Sequence, residues 1–106
     1  MWKRVCRADE VPANGLKQFA VAEGPNVVIA RAGEEFFAHQ AFCPHQDVPL
    51  AEGVHDGKVL TCLEHMWQFD LRTGAPLGDA EAPSTAYPLK READDLLIWL
   101  GDGPAK

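Results

Sequence analysis

Residues 41–54 read Ala-Phe-Cys-Pro-His-Gln-Asp-Val-Pro-Leu-Ala-Glu-Gly-Val, and residues 61–69 read Thr-Cys-Leu-Glu-His-Met-Trp-Gln-Phe. Each segment offers one thiol and one imidazole, Cys43 with His45 and Cys62 with His65, and sixteen residues separate the two pairs. Four such side chains in two short segments indicate a metal site. Because each segment supplies one Cys and one His, the pattern suits a two-iron cluster in which two Cys hold one iron and two His hold the other.

A structural zinc site would accept the same four groups and is the main alternative. Zinc patterns usually keep like ligands together in one segment. Here Cys and His alternate, which favours the iron–sulfur interpretation. His39 and His55 lie outside the spacing and are interpreted as ordinary strand or turn residues, and Cys6 as a small apolar side chain of the first strand.

The sequence outside these segments alternates apolar and polar residues between short turns, which is typical of an all-β domain. The segment 41–54 contains two prolines and a glycine, so it is predicted to be a loop. The predicted strands are Trp2 to Cys6, Leu16 to Val21, Asn26 to Ala30, Phe36 to Gln40, Val59 to Thr61, Trp67 to Asp70, Tyr87 to Glu92 and Leu96 to Leu100.

Length and charge narrow the class of protein. The 106 residues predict one domain, 1–106, with a cluster-binding subdomain at about 41–70. A formal charge of −6 argues against nucleic-acid or anionic-membrane partners and favours a basic protein surface. The chain has no apolar run long enough to span a bilayer and no signal-peptide core at its start, so we expect a cytoplasmic protein. Three cysteines exclude a disulfide framework.

The chemistry expected of these ligands is one-electron transfer. Replacing two thiolates by two neutral imidazoles makes a two-iron cluster less negative and raises its potential to roughly −150 to +300 mV. We expect the histidines to lie nearer the surface than the thiols. Trp67 is interpreted either as an aromatic residue that docks a partner or as packing beneath the cluster. Asp47 and Glu64 either steer a basic partner or form an ordinary solvated surface.

The two segments resemble the boxes of the Rieske iron–sulfur proteins, C-x-H and C-x2-H. They are most similar to the ferredoxin components of bacterial toluene and other aromatic monooxygenase systems. The resemblance implies a Rieske fold of three antiparallel sheets, in which two loops form a small cluster-binding subdomain. It implies one Rieske-type [2Fe-2S] cluster on Cys43, His45, Cys62 and His65, with a Pro-containing loop, 83–88, lying nearby.

The resemblance also implies a function. The chain would be a monomeric carrier, not itself an enzyme, that takes electrons from an NADH-dependent flavin reductase. It would pass them to a terminal aromatic-ring oxygenase, of the di-iron toluene type. Three alternatives stay open: the ferredoxin of an aromatic-ring dioxygenase, the small Rieske-like subunit of a nitrite reductase, and a zinc-stabilised binding module.

Departures from the high-potential respiratory branch bear on the potential. That branch carries an extra Cys in each box, where this chain has Val48 and Glu64. That branch also carries Ser and Tyr hydroxyls after its second His, where this chain has Trp67 and Phe69. Since both hydroxyl donors are missing, we expect a potential toward the low end of the Rieske range.

Overall fold

The fold was analysed in a computed structural model, which describes residues 1–64 and 66–101. Helix in this part of the chain is limited to two three-residue 3-10 turns, Ala8–Glu10 and Leu50–Glu52. The strands are β1 (Trp2–Arg7), β2 (Leu16–Ala20), β3 (Asn26–Ala32), β4 (Glu35–Gln40), β5 (Val54–His55), β6 (Val59–Cys62), β7 (Trp67–Asp70), β8 (Pro76–Leu77), β9 (Ala86–Tyr87), β10 (Leu89–Glu92) and β11 (Asp95–Trp99).

The strands form three sheets whose order is β1-β11-β10, β2-β3-β4-β9 and β5-β6-β7-β8. Every strand pair is antiparallel. The all-β prediction with three antiparallel sheets is therefore confirmed. The third sheet holds most of the second predicted ligand segment, residues 61–69, and it extends to Leu77, beyond the 41–70 stretch predicted for the cluster-binding subdomain.

The predicted strand Tyr87 to Glu92 is wrong in one respect, because it is two strands that belong to different sheets. Ala86–Tyr87 pairs with β4, whereas Leu89–Glu92 pairs with β11. The break falls at Pro88, which has no N–H to donate to a sheet. Its carbonyl still accepts a bond of 2.9 Å from the Trp99 amide, so the chain crosses between sheets without losing contact with β11.

The segment 41–54 is less completely a loop than predicted. It contains the 3-10 turn Leu50–Glu52, and its last residue, Val54, begins β5. The short strand β8 was also missed. Two residues are too few to show an alternating pattern, so such strands are formed by pairing with a neighbour and carry no signal of their own.

Two hydrophobic cores lie on opposite faces of β3. Val27 and Ile29 belong to the first core, whereas Val28 and Ala30 belong to the second. Both faces of β3 are buried, because one is covered by the β1-β11-β10 sheet and the other by the β5-β6-β7-β8 sheet. The second core also includes Leu50, Leu60, Phe69, Leu71 and both predicted cysteine ligands, Cys43 and Cys62.

A buried histidine joins three segments between the sheets. His39 of β4 is fully buried, with Nε2 lying 2.7 Å from the carbonyl oxygen of Leu71 and Nδ1 lying 3.0 Å from Oγ of Ser84. A carbonyl only accepts, so Nε2 donates to Leu71 and Nδ1 accepts from the Ser84 hydroxyl. Burial lowers the pKa of His39, against the smaller opposing effects of the Leu71 hydrogen bond and of Asp70. The ring is therefore a neutral link between sheets.

Within residues 1–64 and 66–101, no helix has the length and apolar character needed to cross a bilayer.

Candidate metal centre

The first predicted ligand loop is closed at its base by backbone hydrogen bonds. Phe42 and Pro49 form an isolated antiparallel bridge. Inside it, the Cys43 amide donates to the Val48 carbonyl at 2.9 Å, and the Gln46 amide donates to the Cys43 carbonyl at 3.3 Å. These bonds fix the backbone on both sides of Cys43, whose side chain is only 4% exposed.

The second predicted ligand segment is a hairpin. Cys62 is the last residue of β6, is 0% exposed, and lies opposite Trp67 of β7 in the strand register. Met66, in the connecting turn, has a φ of +58°, a backbone conformation that costs energy for a residue with a side chain. The turn thus contains one left-handed residue beside the ligand positions. The predicted ligand His65 lies outside the described residues.

The two predicted ligand segments, 41–54 and 61–69, also come into contact with each other, at Gly53 and Thr61. A Cβ added to Gly53 would collide with the carbonyl oxygen of Thr61, the residue that precedes Cys62. The φ of Gly53 is −85°, so the glycine is needed for this close approach and not for an unusual backbone angle.

The two thiols face each other inside the second core. The pKa of Cys62 is raised by burial, and the hydrogen-bonded Cys43 thiol raises it further, whereas the backbone amide of Glu64 lowers it. Two buried thiolates this close would repel each other unless a cation lay between them. Their arrangement therefore fits a pair of thiolates that share a metal.

His45 lies on the outer side of this pair. Its ring is half-buried, and its Nδ1 atom lies 3.7 Å from Sγ of Cys43. The ring stacks on Trp67, with centroids 4.5 Å apart and planes inclined by 30°. Three of the four predicted ligands are thus brought together, with the sulfurs inside and the imidazole toward the surface.

The donor set fits a two-iron cluster better than a single ion. Cys43 and Cys62 form a buried pair, and His45 lies on the outer side of it. A tetrahedral zinc site needs its protein ligands around one centre. A two-iron cluster needs them in separate pairs, so Cys43 and Cys62 would hold one iron, and His45 and His65 the other.

The hydroxyl groups of Thr61 and Ser84 each have a hydrogen-bond partner. Oγ1 of Thr61 accepts a bond of 3.3 Å from the side-chain amide of Gln68, and Ser84 is bound to His39. Phe69 is fully buried and has no hydroxyl, and its ring meets Trp67 edge-on at 6.4 Å. The surroundings of the thiols on this side are therefore apolar.

The other predicted features of the site lie as follows. Asp47 and Glu64 are exposed, and Trp67 is half-buried. The predicted Pro-containing loop, 83–88, includes the strand β9; just before it Ala80 packs on the second core, and the Ser84 amide donates to the Gly74 carbonyl at 2.9 Å. That loop therefore lies against the β5-β6-β7-β8 sheet.

Sequence reasoning missed an apolar surface beside the ligands. The side chains of Leu63 and Met66 are 53% and 58% exposed, and Phe42 is 39% exposed. All three adjoin predicted ligands along the chain. Because Cys43 and Cys62 point inward, their chain neighbours Phe42 and Leu63 are left facing solvent, and this constraint is the signal that could have revealed them.

His55 and Cys6 are the other titratable side chains that the sequence singled out, and each is explained by its local surroundings. His55 Nε2 donates to the Gly15 carbonyl at 3.1 Å, and its Nδ1 accepts from the Gly57 amide at 3.0 Å. Cys6 is buried in the first core, where burial and Glu10 raise the pKa of its thiol to about 11. Neither side chain lies in the two metal-binding segments.

Comparison with known proteins agrees with this geometry. The Rieske [2Fe-2S] domain profile matches residues 1–89. The chain is 38% identical over 102 residues to the methanesulfonate monooxygenase ferredoxin subunit of Methylosulfonomonas methylovora, covering 95% of this chain and 82% of the relative. It is 33% identical over 102 residues to the ferredoxin component of biphenyl 2,3-dioxygenase from Rhodococcus jostii strain RHA1, covering 94% of each.

A solved structure shows the same architecture. The ferredoxin of carbazole 1,9a-dioxygenase from Nocardioides aromaticivorans IC177 is 28% identical and superposes with a TM-score of 0.83, over 92% of this chain and 96% of that one. The profile covers most of the sequence, and the relatives match nearly all of it. The chain therefore belongs to the Rieske [2Fe-2S] domain family, and its cofactor is a Rieske-type [2Fe-2S] cluster.

Proposed function

We propose that this protein is the Rieske ferredoxin of a multicomponent oxygenase, carrying single electrons from an NADH-dependent flavin reductase to a terminal aromatic-ring oxygenase. The observation that carries the proposal is the arrangement of Cys43, Cys62 and His45. Two fully enclosed thiols lie behind a half-buried imidazole. An electron carrier needs buried ligands on one side and a more exposed ligand on the other, because its redox group must be shielded from water yet lie close to a partner.

The proposed ligands hold the cluster from different sides. Cys43 and Cys62 would anchor the cluster on the core side, His45 would hold it on the surface side, and His65 is the proposed fourth ligand. When bound, the [2Fe-2S] group supplies a site that accepts and releases one electron. The bonded backbone of the first loop and the β6–β7 hairpin keep the ligands in place. The relatives that the chain matches are ferredoxin components of oxygenase systems, so the protein is proposed to act as a carrier and not itself as an enzyme.

The docking face is proposed to include Trp67, Asp47 and Glu64, together with the exposed apolar residues Leu63 and Met66. Charge supports a basic partner. Asp47 and Glu64 are exposed within the two ligand segments, and the whole chain carries a formal charge of −6. An apolar centre with an acidic rim suits a transient contact that forms quickly and releases readily.

The terminal partner is proposed to be a di-iron monooxygenase of the toluene type. The methanesulfonate monooxygenase relative supports a monooxygenase system. The second candidate is an aromatic-ring dioxygenase, which the biphenyl 2,3-dioxygenase relative supports. We also propose that residues 1–106 form one Rieske domain with its cluster-binding part at about 41–70, and that the protein acts as a cytoplasmic monomer.

The proposal is tested by reconstitution. The purified protein is combined with NADH, a flavin reductase, and either a di-iron toluene monooxygenase or a biphenyl dioxygenase. We expect product to form with the monooxygenase at a rate that depends on this protein's concentration. Product with the dioxygenase alone would favour the second candidate. Absence of reduction by the flavin reductase, in protein with an intact cluster, would contradict the carrier role.

A further inference from the structure

Trp67 and His45 come from different metal-binding segments, yet their rings lie face to face. The centroids are 4.5 Å apart and the ring planes differ by 30°. This is close to the offset-stacked geometry that aromatic pairs prefer. The contact therefore joins the hairpin of the second metal-binding segment to a predicted ligand of the first.

The indole is the fixed member of this pair. Trp67 is the first residue of β7 and lies opposite Cys62 in the sheet. One side of its ring packs on the second core, and it meets the buried Phe69 edge-on at 6.4 Å and 64°. Strand pairing and core packing thus hold the indole in one orientation.

The imidazole lies in a less regular segment. Hydrogen bonds of Cys43, Gln46 and Val48 order the loop backbone, but ring orientation depends on the side-chain torsions. The outer torsion of histidine has a broad energy profile, so backbone order alone does not set the plane of the ring. A stacked partner on one face restricts that rotation.

We propose that Trp67 is a positioning residue for the cluster, which holds the imidazole plane of His45 in the orientation needed for ligation. Groups that orient metal ligands affect metal retention strongly, although they do not touch the metal. Since Trp67 also lies opposite Cys62 in the hairpin, it would fix the position of one ligand loop relative to the other. The inference rests on His45 being a ligand, as proposed above.

The test compares three substitutions in the cluster-loaded protein. Trp67→Phe keeps an aromatic ring, Trp67→Leu keeps an apolar side chain without a ring, and Trp99→Leu makes the same change in β11, where Trp99 contacts Trp2 instead of a ligand. Two readouts are used: the electron paramagnetic resonance spectrum of the reduced protein, and the rate at which a chelator removes the cluster, followed by visible absorbance.

We expect Trp67→Leu to shift and broaden the resonance lines and to lose its cluster about tenfold faster. Trp67→Phe and Trp99→Leu should keep the wild-type spectrum. If Trp67→Leu does not fold, Trp67→Met provides the same comparison with a flexible apolar side chain. Wild-type behaviour of the Leu or Met variant would overturn the proposal, and so would an equal defect in Trp67→Phe, which would point to lost volume instead of lost stacking.

A His45→Ala variant separates this inference from the proposed ligand set. If His45→Ala lacks the cluster while Trp67→Leu behaves as wild type, the positioning role fails and the ligand assignment stands. If His45→Ala keeps a wild-type cluster, the ligand assignment fails and the positioning role fails with it.

Discussion

Cys62 and Trp67 lie opposite each other in the β6–β7 hairpin, so one strand pair carries both a predicted ligand and the ring that stacks on His45. The register of this hairpin therefore influences both ligand loops. A slip of one residue would turn Cys62 away from the core and Trp67 away from His45. The buried Leu60–Phe69 pair in the same hairpin opposes such a slip.

The first prediction concerns the buried link made by His39. Replacing it with Leu leaves the Ser84 hydroxyl and the Leu71 carbonyl without their partner in a buried place, so we expect the free energy of unfolding to fall by about 2–4 kcal/mol. His55→Leu is the matched control, because His55 is only half-buried and water can reach its partners. Chemical denaturation measures both, and an equal loss in the two variants would contradict the explanation.

The same variant also changes the pH dependence of stability. Burial holds the folded-state pKa of His39 below its unfolded value of about 6.5, so the unfolded chain binds more protons below that pH. Stability is therefore lost as the pH falls through about 6.5 toward the folded pKa. The wild-type protein should lose more stability between neutral and mildly acidic pH than His39→Leu does, and parallel curves would show that His39 contributes nothing to the slope.

The second prediction concerns Gly53. A methyl group there would meet the Thr61 backbone, which cannot move without displacing the neighbouring Cys62. Gly53→Ala should lower the free energy of unfolding by about 1–3 kcal/mol and speed cluster loss. In the control, Gly24→Ala, the added methyl meets side-chain atoms of Leu100 and Val21. Similar cluster retention in both variants would rule out the close approach as a constraint on the site.

The sequence was sufficient to predict the all-β fold and the regular strands, because β1 to β4 are five to seven residues long and turn residues separate them. It was insufficient for β5 and β8, whose two residues each depend on pairing with neighbours. The ligand spacing predicted that Cys43, His45 and Cys62 would meet, and the structure brings them together. The stack of His45 on Trp67 was not predicted, since no sequence rule specifies how two loops approach in space.

The third prediction concerns the reduction potential. The core side of the site is lined by apolar residues, and Trp67 and Phe69 carry no hydroxyl group. Few donors are left to stabilise the additional negative charge of the reduced state. A redox titration should therefore give a midpoint near the low end of the roughly −150 to +300 mV Rieske range, and a midpoint well above about +100 mV would refute this reasoning.

The fourth prediction concerns the acidic rim. Glu64→Lys reverses an exposed charge beside the ligands and should slow association with a basic partner by roughly two- to tenfold at low salt, with a weaker salt dependence. Glu34→Lys is the control: it makes the same change in the turn just before β4, at the opposite end of that strand from the first ligand loop. Stopped-flow reduction by the flavin reductase measures both. Equal effects of the two variants would indicate that net charge matters and its position does not.

The central claim is that Cys43, Cys62, His45 and His65 hold a two-iron cluster with mixed ligands. An electron paramagnetic resonance spectrum of the freshly purified, reduced protein tests it most directly. We predict a signal whose average g value is lower than that of all-cysteine two-iron clusters, and its loss in Cys62→Ser and His45→Ala but not in His55→Asn. Colourless protein that contains zinc, without iron or sulfide, would contradict the account.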